Sequence, residues 1–235
     1  MIVKELWRYP VKSMQGEQID SAEVGRAGLD GDRRFAIVDR ATGLGLTGRR
    51  APELLMASAR LVGNEVEITL PDGSRAADDA ALSSWLGRDV ELVDAYALDG
   101  GKTFECPSDL GTEQDWFEFT SAGTAFHDAD IWRVSIISTG TIGEWDRRRF
   151  RMNVLVDSEG ENNLAGAEIT LGDTHLRVTG PILRCVMVTR PQPGGIERDL
   201  EVLKTINRDH GSCLAVGATV ATPGTIRVGD PLVRL

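Results

Sequence analysis

Three scarcities limit what this 235-residue chain can be. It has no stretch near the roughly 18 uninterrupted apolar residues that a membrane helix requires. Charges within the first eight residues interrupt any signal-peptide core. Its few cysteines are far apart, with no Cys-x-x-Cys pair and no nearby histidine to complete a zinc site: Cys106, Cys185 and Cys213. These absences predict a cytoplasmic protein without disulfides and without a membrane partner.

Basic residues are also in the minority, and lysine is especially rare. The chain has 26 bases against 36 acids, a formal net charge of -10, and only Lys4, Lys12, Lys102 and Lys204 are lysines. A general nucleic-acid binder needs clustered bases, so the composition argues against a nucleic-acid partner. With 41% hydrophobic and 26% charged residues, the chain has the composition of a soluble globular protein.

Short β-branched runs separated by glycines predict a β-dominated α+β fold with a few peripheral helices. The expected helices begin at acidic or hydroxyl residues and cover 78–86 with a stop at Gly87, 139–148 and 199–208. The runs that we interpret as strands are Ile2–Trp7, Arg34–Asp39, Val66–Leu70, Trp132–Ser138, Asn153–Asp157, Glu168–Leu171 and Leu214–Thr222.

The segment from Leu98 to Leu110 lacks periodicity and contains Gly100-Gly101 and Cys106-Pro107. Such a segment is typical of a linker or surface loop. We therefore place the domain boundary here, with one domain over 1–97 and a second over 98–235.

Gly43-Leu-Gly-Leu-Thr-Gly48 matches G-x-G-x-x-G, the dinucleotide-binding fingerprint. A true fingerprint lies directly between a strand and a helix of a βαβ unit. Here four residues separate the preceding strand from the glycines, and Pro52 follows soon after. The pattern therefore favours a glycine-rich hairpin loop.

Four arginines fall within five positions in 147–151, followed by Asn153. Arginines bind phosphate and other oxyanions in a bidentate manner, and an asparagine amide can donate to the same anion. The alternative is a solvated helix end whose charges suit the helix dipole. In an extended chain, Arg149 and Arg151 would share one face with Asn153.

Arg184-Cys185 lies in a strand-like run over 181–189. The arginine would favour a thiolate, which can act as a nucleophile or as a ligand for a soft metal. A single cysteine in such a run is more often a small buried hydrophobe, and the local pattern favours that interpretation. His127-Asp128 resembles a base with its orienting carboxylate, but neighbours in a strand point apart.

Together these segments resemble the MOSC family, named for the C-terminal domain of molybdenum-cofactor sulfurases, in its two-part members such as the amidoxime-reducing components. The segments similar to the family's N-terminal β-barrel domain are 9–14, 28–35 and 46–49, and those similar to the MOSC β-barrel are 126–128, 149–153, 184–185 and 224–230. Met152 and Leu183 stand where relatives with reductase activity carry proline and serine.

The resemblance implies a molybdenum cofactor (molybdopterin) whose metal is bound by Cys185, the catalytic residue. It also implies that a group of polar and basic residues holds the pterin and its phosphate: Lys12, Ser13, Arg33, Ser138, Thr139, Arg149, Arg151, Asn153 and Arg184. No ferredoxin-like segment follows Leu235, and three cysteines cannot ligate an iron–sulfur cluster. The expected electron donor is therefore a separate flavin or iron–sulfur reductase.

Two functions follow from this resemblance as expectations. The first is a reductase that removes oxygen from N-hydroxylated or N-oxide small molecules by two-electron transfer. The second is a non-catalytic carrier or binding module, which delivers the cofactor or holds a persulfide sulfur on Cys185.

Overall fold

Strands make up most of the regular structure of the chain. The computed structural model describes residues 1–108, 115–121 and 123–235. The strands within these residues are β1 (Ile2–Arg8), β2 (Glu17–Ile19), β3 (Ser21–Gly25), β4 (Gly28–Leu29), β5 (Phe35–Asp39), β6 (Ser58–Val62), β7 (Glu65–Thr69), β8 (Arg75–Ala76), β9 (Val90–Asp94), β10 (Lys102–Pro107), β11 (Trp116–Ser121), β12 (Val134–Ser138), β13 (Val154–Asp157), β14 (Glu168–Leu171), β15 (Thr174–Leu183), β16 (Cys213–Thr222), β17 (Gly224–Arg227) and β18 (Leu232–Arg234).

The helices are few and short, as the sequence predicts. They are α1 (Asp79–Leu86), α2 (Thr139–Ile142) and α3 (Leu200–Asp209). Single 3₁₀ turns cover Pro52–Met56, Ala95–Ala97, Arg147–Arg149, Asn162–Leu164 and Val186–Thr189. The expected β-dominated fold is confirmed. No helix in the described part of the chain is long and apolar enough to cross a membrane.

Strands from both ends of the chain share the largest sheet. Its order is β18-β14-β15-β16-β12-β13-β1-β2, and β1 is antiparallel to β13. β3 likewise pairs with β17 in a smaller sheet. Alternating burial along β3, with Ala22 and Val24 inward, fits a strand with one face on the core. The first 30 residues thus complete sheets that the last 100 residues build, and the predicted boundary between residues 97 and 98 stays a prediction.

The large sheet has its own hydrophobic core, and a second hydrophobic cluster lies in the N-terminal half of the chain. It includes Val11, Met14, Ile37, Leu54 and Leu82, all of which are buried. α1 covers this cluster and is well capped: the Asp78 carboxylate accepts the Ala81 N–H, and Gly87 ends the helix in the left-handed conformation. These signals are local, which is why the predicted bounds agree with the structure to within one residue.

The helix predicted over 139–148 is too long. α2 ends at Ile142, because Gly143 turns the chain with a φ of 56°. The arginines that follow form a separate 3₁₀ turn, and β13 begins only at Val154. Arg149, Arg151 and Asn153 therefore do not share one face of a strand, contrary to the expectation.

The predicted linker over 98–110 is also wrong in its main part. Lys102–Pro107 forms β10, which pairs with β11 in an antiparallel hairpin. Residues 109 and 110 of that prediction lie outside the described residues. The sequence of β10 does not alternate strictly between apolar and polar residues, because both faces of this strand are at least partly buried.

The glycine-rich segment forms the expected hairpin loop. The chain reverses after Asp39, and the Leu46 N–H donates to the Ile37 carbonyl at 2.7 Å. Gly45 bridges Val38 on one side and Phe104 of β10 on the other. This loop joins the N-terminal sheet to the β10–β11 hairpin.

Candidate functional site

A cavity of about 430 Å³ lies between the two halves of the chain and the β10–β11 hairpin. It brings together eight of the ten predicted site residues, from segments up to 173 positions apart: Lys12, Ser13, Arg33, Arg149, Arg151, Asn153, Arg184 and Cys185. A pocket of this size with convergent polar groups is typical of a small-molecule or cofactor site.

Lys12 is buried and fully engaged. Its ammonium donates to the Phe126 carbonyl at 2.9 Å, forms an ion pair with Asp128, and lies 4.8 Å from the centre of the Phe104 ring. Burial lowers the pKa of Lys12, although Asp128 opposes this shift. The segment between β1 and β2 therefore contributes a cation that is already neutralised within the protein.

Asp128, the ion-pair partner of Lys12, is not among the predicted site residues. Its side chain is 77% accessible to solvent, yet it stands in a concave surface with protein on several sides. Burial raises its pKa, but the charge and hydrogen bond of Lys12 outweigh this and lower the value to about 2. The carboxylate is therefore ionised throughout the physiological pH range.

Arg33 forms a second neutralised pair with the neighbouring Asp32. Asp32 is almost completely buried and also accepts the Tyr9 N–H at 2.8 Å. Burial disfavours the charged form of Arg33, but the negative charges of Asp32 and Asp128 outweigh this effect and raise its pKa. The second amino nitrogen of Arg33 donates to the Arg151 carbonyl at 3.3 Å, which ties the two arginines together.

Arg151 differs from these two cations because it has no carboxylate partner among the described residues. Its Nε and Nη2 atoms are buried and make no hydrogen bond. Its guanidinium lies 5.0 Å from the centre of the Tyr9 ring, and the guanidinium of Arg33 lies 5.3 Å from the same ring centre. Burial and the nearby Arg33 charge lower the pKa of Arg151 to about 10. Unsatisfied buried donors of this kind are suited to an anion that enters the cavity.

Arg184 and Cys185 follow the end of β15 rather than lying inside a strand, because the chain turns into the Val186–Thr189 3₁₀ helix. Arg184 donates one bond to the Phe150 carbonyl at 2.8 Å, and its Nε is buried without a partner. Burial lowers the pKa of Arg184, whereas Cys185 raises it. Residue Cys185 is partly exposed and lines the cavity, and its side chain makes no capping hydrogen bond to the turn.

Three site residues have left-handed backbone conformations that non-glycine residues seldom adopt. The φ angles are 70° at Ser13, 53° at Arg33 and 54° at Arg151. Each such residue carries strain of about 1–3 kcal/mol, and this strain is concentrated at functional sites. Here the turns reverse the chain between strands and direct the three side chains to one cavity.

Ser138 and Thr139 are not brought to the cavity. The Ser138 hydroxyl accepts the Thr141 N–H at 3.0 Å and so caps α2. The Thr139 hydroxyl donates to the Ser158 carbonyl at 3.3 Å. Both side chains are used at the start of the helix, away from the other predicted residues.

Arg149 and Asn153 line the cavity, but their polar atoms are engaged elsewhere. Arg149 donates to the carbonyls of Val188, Arg190 and Glu197, with the shortest bond at 2.8 Å. The Asn153 amide accepts from the Ser135 hydroxyl at 2.8 Å and donates to the Trp7 carbonyl at 3.2 Å. In this structure Arg149 fixes the loop after Cys185, and Asn153 joins β12 to β1.

Two further segments reach the cavity without a local sequence signal. Gly48 donates its N–H to the Ser13 hydroxyl at 2.8 Å, which places the glycine-rich loop beside the site. Cys106 on β10 lines the same cavity as Cys185. Burial raises the pKa of the Cys106 thiol, against the charge of Arg49. Only the long-range arrangement of the hairpin reveals this second sulfur.

Comparison with known proteins assigns the chain in two parts. The family model described as the MOSC N-terminal beta barrel domain matches residues 1–104, and the MOSC domain model matches residues 124–233. MOSC domains are associated with the molybdenum cofactor.

Curated relatives agree with this assignment. A molybdenum cofactor sulfurase of Drosophila mojavensis is 26% identical over 91% of this chain, which spans 31% of that protein. Mitochondrial amidoxime reducing component 2 of Bos taurus is 24% identical over 99% of this chain and 83% of its own length.

Among solved structures, the YUAD protein of Bacillus subtilis has a TM-score of 0.45 at 14% identity, covering 98% of this chain and 93% of that one. The two family models together span the described segments that build the cavity, apart from most of the β10–β11 hairpin. The chain belongs to the MOSC family, as a member that carries the MOSC N-terminal β-barrel domain before the MOSC domain.

Proposed function

We propose that the cavity holds a molybdenum cofactor and that the protein reduces N-hydroxylated or N-oxide compounds with electrons from a separate donor. The observation that carries the proposal is the pairing of a partly exposed thiol, Cys185, with buried arginine nitrogens that lack partners on Arg151 and Arg184. The name of the bovine relative, an amidoxime reducing component, supports the reductase activity.

The donor set fits the proposed cofactor chemically. A pterin phosphate is a compact anion that requires cations and N–H donors, and guanidinium groups bind phosphate well. Arg151 and Arg184 have such donors unused, whereas Lys12 and Arg33 are already paired with carboxylates. We therefore expect Arg151 and Arg184 to bind the anion directly.

A thiolate is a ligand that molybdenum accepts, and Cys185 would be that ligand. When bound, the cofactor supplies two-electron redox chemistry at a metal surrounded by sulfur. The overall reaction would be R–NH–OH + 2 e⁻ + 2 H⁺ → R–NH₂ + H₂O. The residues of the chain would bind the cofactor, orient the thiolate and shield the reacting group from bulk water.

The paired cations have a different role in this proposal. The ion pairs Lys12–Asp128 and Arg33–Asp32 hold these two cations at the cavity without leaving them as isolated buried charges. Arg33 also holds the Arg151 backbone through its carbonyl. These pairs would position the residues that contact the cofactor.

The test is a joint measurement of cofactor content and turnover. Protein purified from a host that makes the cofactor should contain molybdenum and pterin in amounts equimolar to the chain. It should reduce benzamidoxime with reduced methyl viologen or a flavin reductase as donor. A Cys185→Ala variant should lose the metal and the activity. Absence of molybdenum from the wild-type protein, or full molybdenum in the variant, would overturn the proposal.

The second candidate is a carrier that holds the cofactor or a persulfide sulfur without turnover. The name of the Drosophila relative, a molybdenum cofactor sulfurase, favours it, although this chain spans only about a third of that protein. The partly exposed Cys185 thiol suits a persulfide equally well. A sulfane sulfur on Cys185, detected by mass spectrometry in protein without reductase activity, would identify the carrier.

A further inference from the structure

One wall of the cavity is built by the β10–β11 hairpin, most of which lies between the two family models, at residues 105–123. Phe117 and Phe119, two positions apart on β11, both line the cavity. Phe119 packs on Phe104 with ring centres 5.7 Å apart, which anchors the hairpin. Phe117 pairs across the hairpin with Cys106 and remains 49% exposed.

Other apolar side chains continue this wall close to Cys185. Leu183, the last residue of β15, is 51% exposed and lines the cavity, as do Trp132 and Met187. A large apolar side chain left half exposed at a concave site has unused contact surface. We call the charged residues around Arg151 the cationic side of the cavity, and the apolar side chains around Phe117 and Leu183 its apolar side. The two sides meet where the Lys12 ammonium lies 5.6 Å from the centre of the Phe119 ring.

We propose that this apolar wall, formed by Phe117, Phe119, Leu183 and Met187, binds the aromatic or flat apolar body of the substrate. The inference rests on the proposed function. It makes Phe117 and Leu183 specificity-determining residues, and it makes uncharged aromatic N-hydroxy compounds better substrates than hydroxylamine, which has no apolar body.

The physical argument is one of complementary surfaces. A flat ring buries apolar area against phenylalanine and methionine side chains and gains favourable edge or stacking contacts. With the ring on this wall, the polar N–O group would reach Cys185, which follows Leu183 by two positions. An anionic substrate body would instead be drawn to Arg151 and Arg184, where it would compete with the cofactor.

Phe117→Ala and Leu183→Ala test the inference, with Val62→Ala as the matched control. Val62 is 48% exposed and does not line the cavity, so this variant removes a comparable exposed apolar side chain elsewhere. KM would be measured for benzamidoxime and for hydroxylamine. We expect each cavity variant to raise KM for benzamidoxime roughly 10-fold. KM for hydroxylamine should stay unchanged, and Val62→Ala should change neither value.

A binding measurement separates this inference from the proposed function. Benzamidoxime is titrated into cofactor-free protein by calorimetry, and Phe117→Ala should weaken its binding roughly 10-fold. If neither compound is reduced but this binding difference persists, the proposed function fails and the apolar wall stands. If both compounds are reduced and Phe117→Ala behaves like Val62→Ala, the inference is overturned and the proposed function stands. A Phe117-dependent change in oligomeric state, without any change in binding, would also overturn the inference and assign the wall to a protein interface.

Discussion

The two sides of the cavity are built in different ways. The cationic side consists of buried ion pairs, strained left-handed turns and hydrogen bonds between distant segments, as at Arg33 and Arg151. The apolar side consists of side chains from the β10–β11 hairpin, the end of β15 and the turn that follows it, among which Phe117 and Leu183 are about half exposed. A charged residue in a buried position requires its partners to be in place, whereas an apolar side chain can be exchanged for another of similar size. The residues of the cationic side therefore tolerate few substitutions, whereas those of the apolar side can be exchanged to suit different substrates.

The largest expected difference is between the cysteines of the two sides. Cys185→Ser should abolish molybdenum binding in protein from a cofactor-producing host, because a serine hydroxyl is a poor ligand for a soft metal site. Cys106→Ser, on the hairpin, should retain the wild-type metal content. Elemental analysis of both purified variants measures this. Equal loss in the two variants would show that both sulfurs serve the metal and would remove the distinction between the sides.

The next prediction compares two arginines within the cationic side. Arg33→Met leaves Asp32 buried without its cation, and we expect it to reduce the free energy of unfolding by about 3–5 kcal/mol. Arg151→Met removes buried donors that have no partner, so it should raise the free energy of unfolding by about 1 kcal/mol.

Urea unfolding of cofactor-free protein measures both effects, and pterin content should fall in both variants. If Arg151→Met destabilised the protein as much as Arg33→Met, then Arg151 would be a structural residue rather than a binding residue.

The pH dependence of stability gives a third comparison, centred on His127 beside the cationic side. Burial and the Arg33 charge lower its pKa from an ordinary value of 6.5 to about 4, and its Nε2 lies 2.9 Å from the Ala27 carbonyl. Between these two values the unfolded chain binds more protons than the folded one. The free energy of unfolding should therefore fall by up to about 3 kcal/mol as the pH drops from 6.5 to 4.

His127→Gln keeps a donor for Ala27 and should remove this slope. Urea unfolding at several pH values between 7.5 and 4 compares the variant with the wild type. The lowered pKa of Asp128 adds a smaller slope of the same sign, which begins near pH 5 and remains in the variant. An unchanged slope in the variant would assign the acid sensitivity to other groups.

The sequence predicts the parts of the fold that depend on local signals. Asp78 and Gly87 mark both ends of α1, because capping is a property of a few adjacent residues. The β10–β11 hairpin has no such local signal, because pairing Cys106 with Phe117 depends on a register that no local pattern contains. The helix predicted from residue 139 is too long, because one positive φ at Gly143 outweighs the helical composition that follows.

For the site, family-like motifs predict which residues approach the cavity but not how each is used. Arg151 and Asn153 belong to one motif, yet Asn153 is saturated by Ser135 and Trp7 while Arg151 has unused donors. Ser138 matches the same expectation and instead caps a helix. Hydrogen-bond satisfaction depends on partners more than a hundred residues away, as for Asn153 and Trp7, so only the folded structure reveals it.

The smallest expected difference is between two glycines of the same loop: Gly45 lies against the Phe104 ring, and Gly48 lies beside Met187 and Ser13. A methyl group on Gly45 would lie 2.1–2.7 Å from ring atoms of Phe104, which supports the hairpin and is completely buried, so that moving the ring disrupts its packing. Gly45→Ala should therefore lower the free energy of unfolding by about 1–3 kcal/mol. A methyl group on Gly48 would meet the terminal methyl of Met187 at 2.7 Å, the flexible end of a side chain that can shift at little cost. Gly48→Ala should change stability by less than about 0.5 kcal/mol.

Thermal and urea unfolding of the two variants measure the difference. Because Gly45→Ala displaces Phe104 and with it Phe119, it should also weaken benzamidoxime binding, whereas equal effects of the two variants would mean that the hairpin is not anchored through this contact.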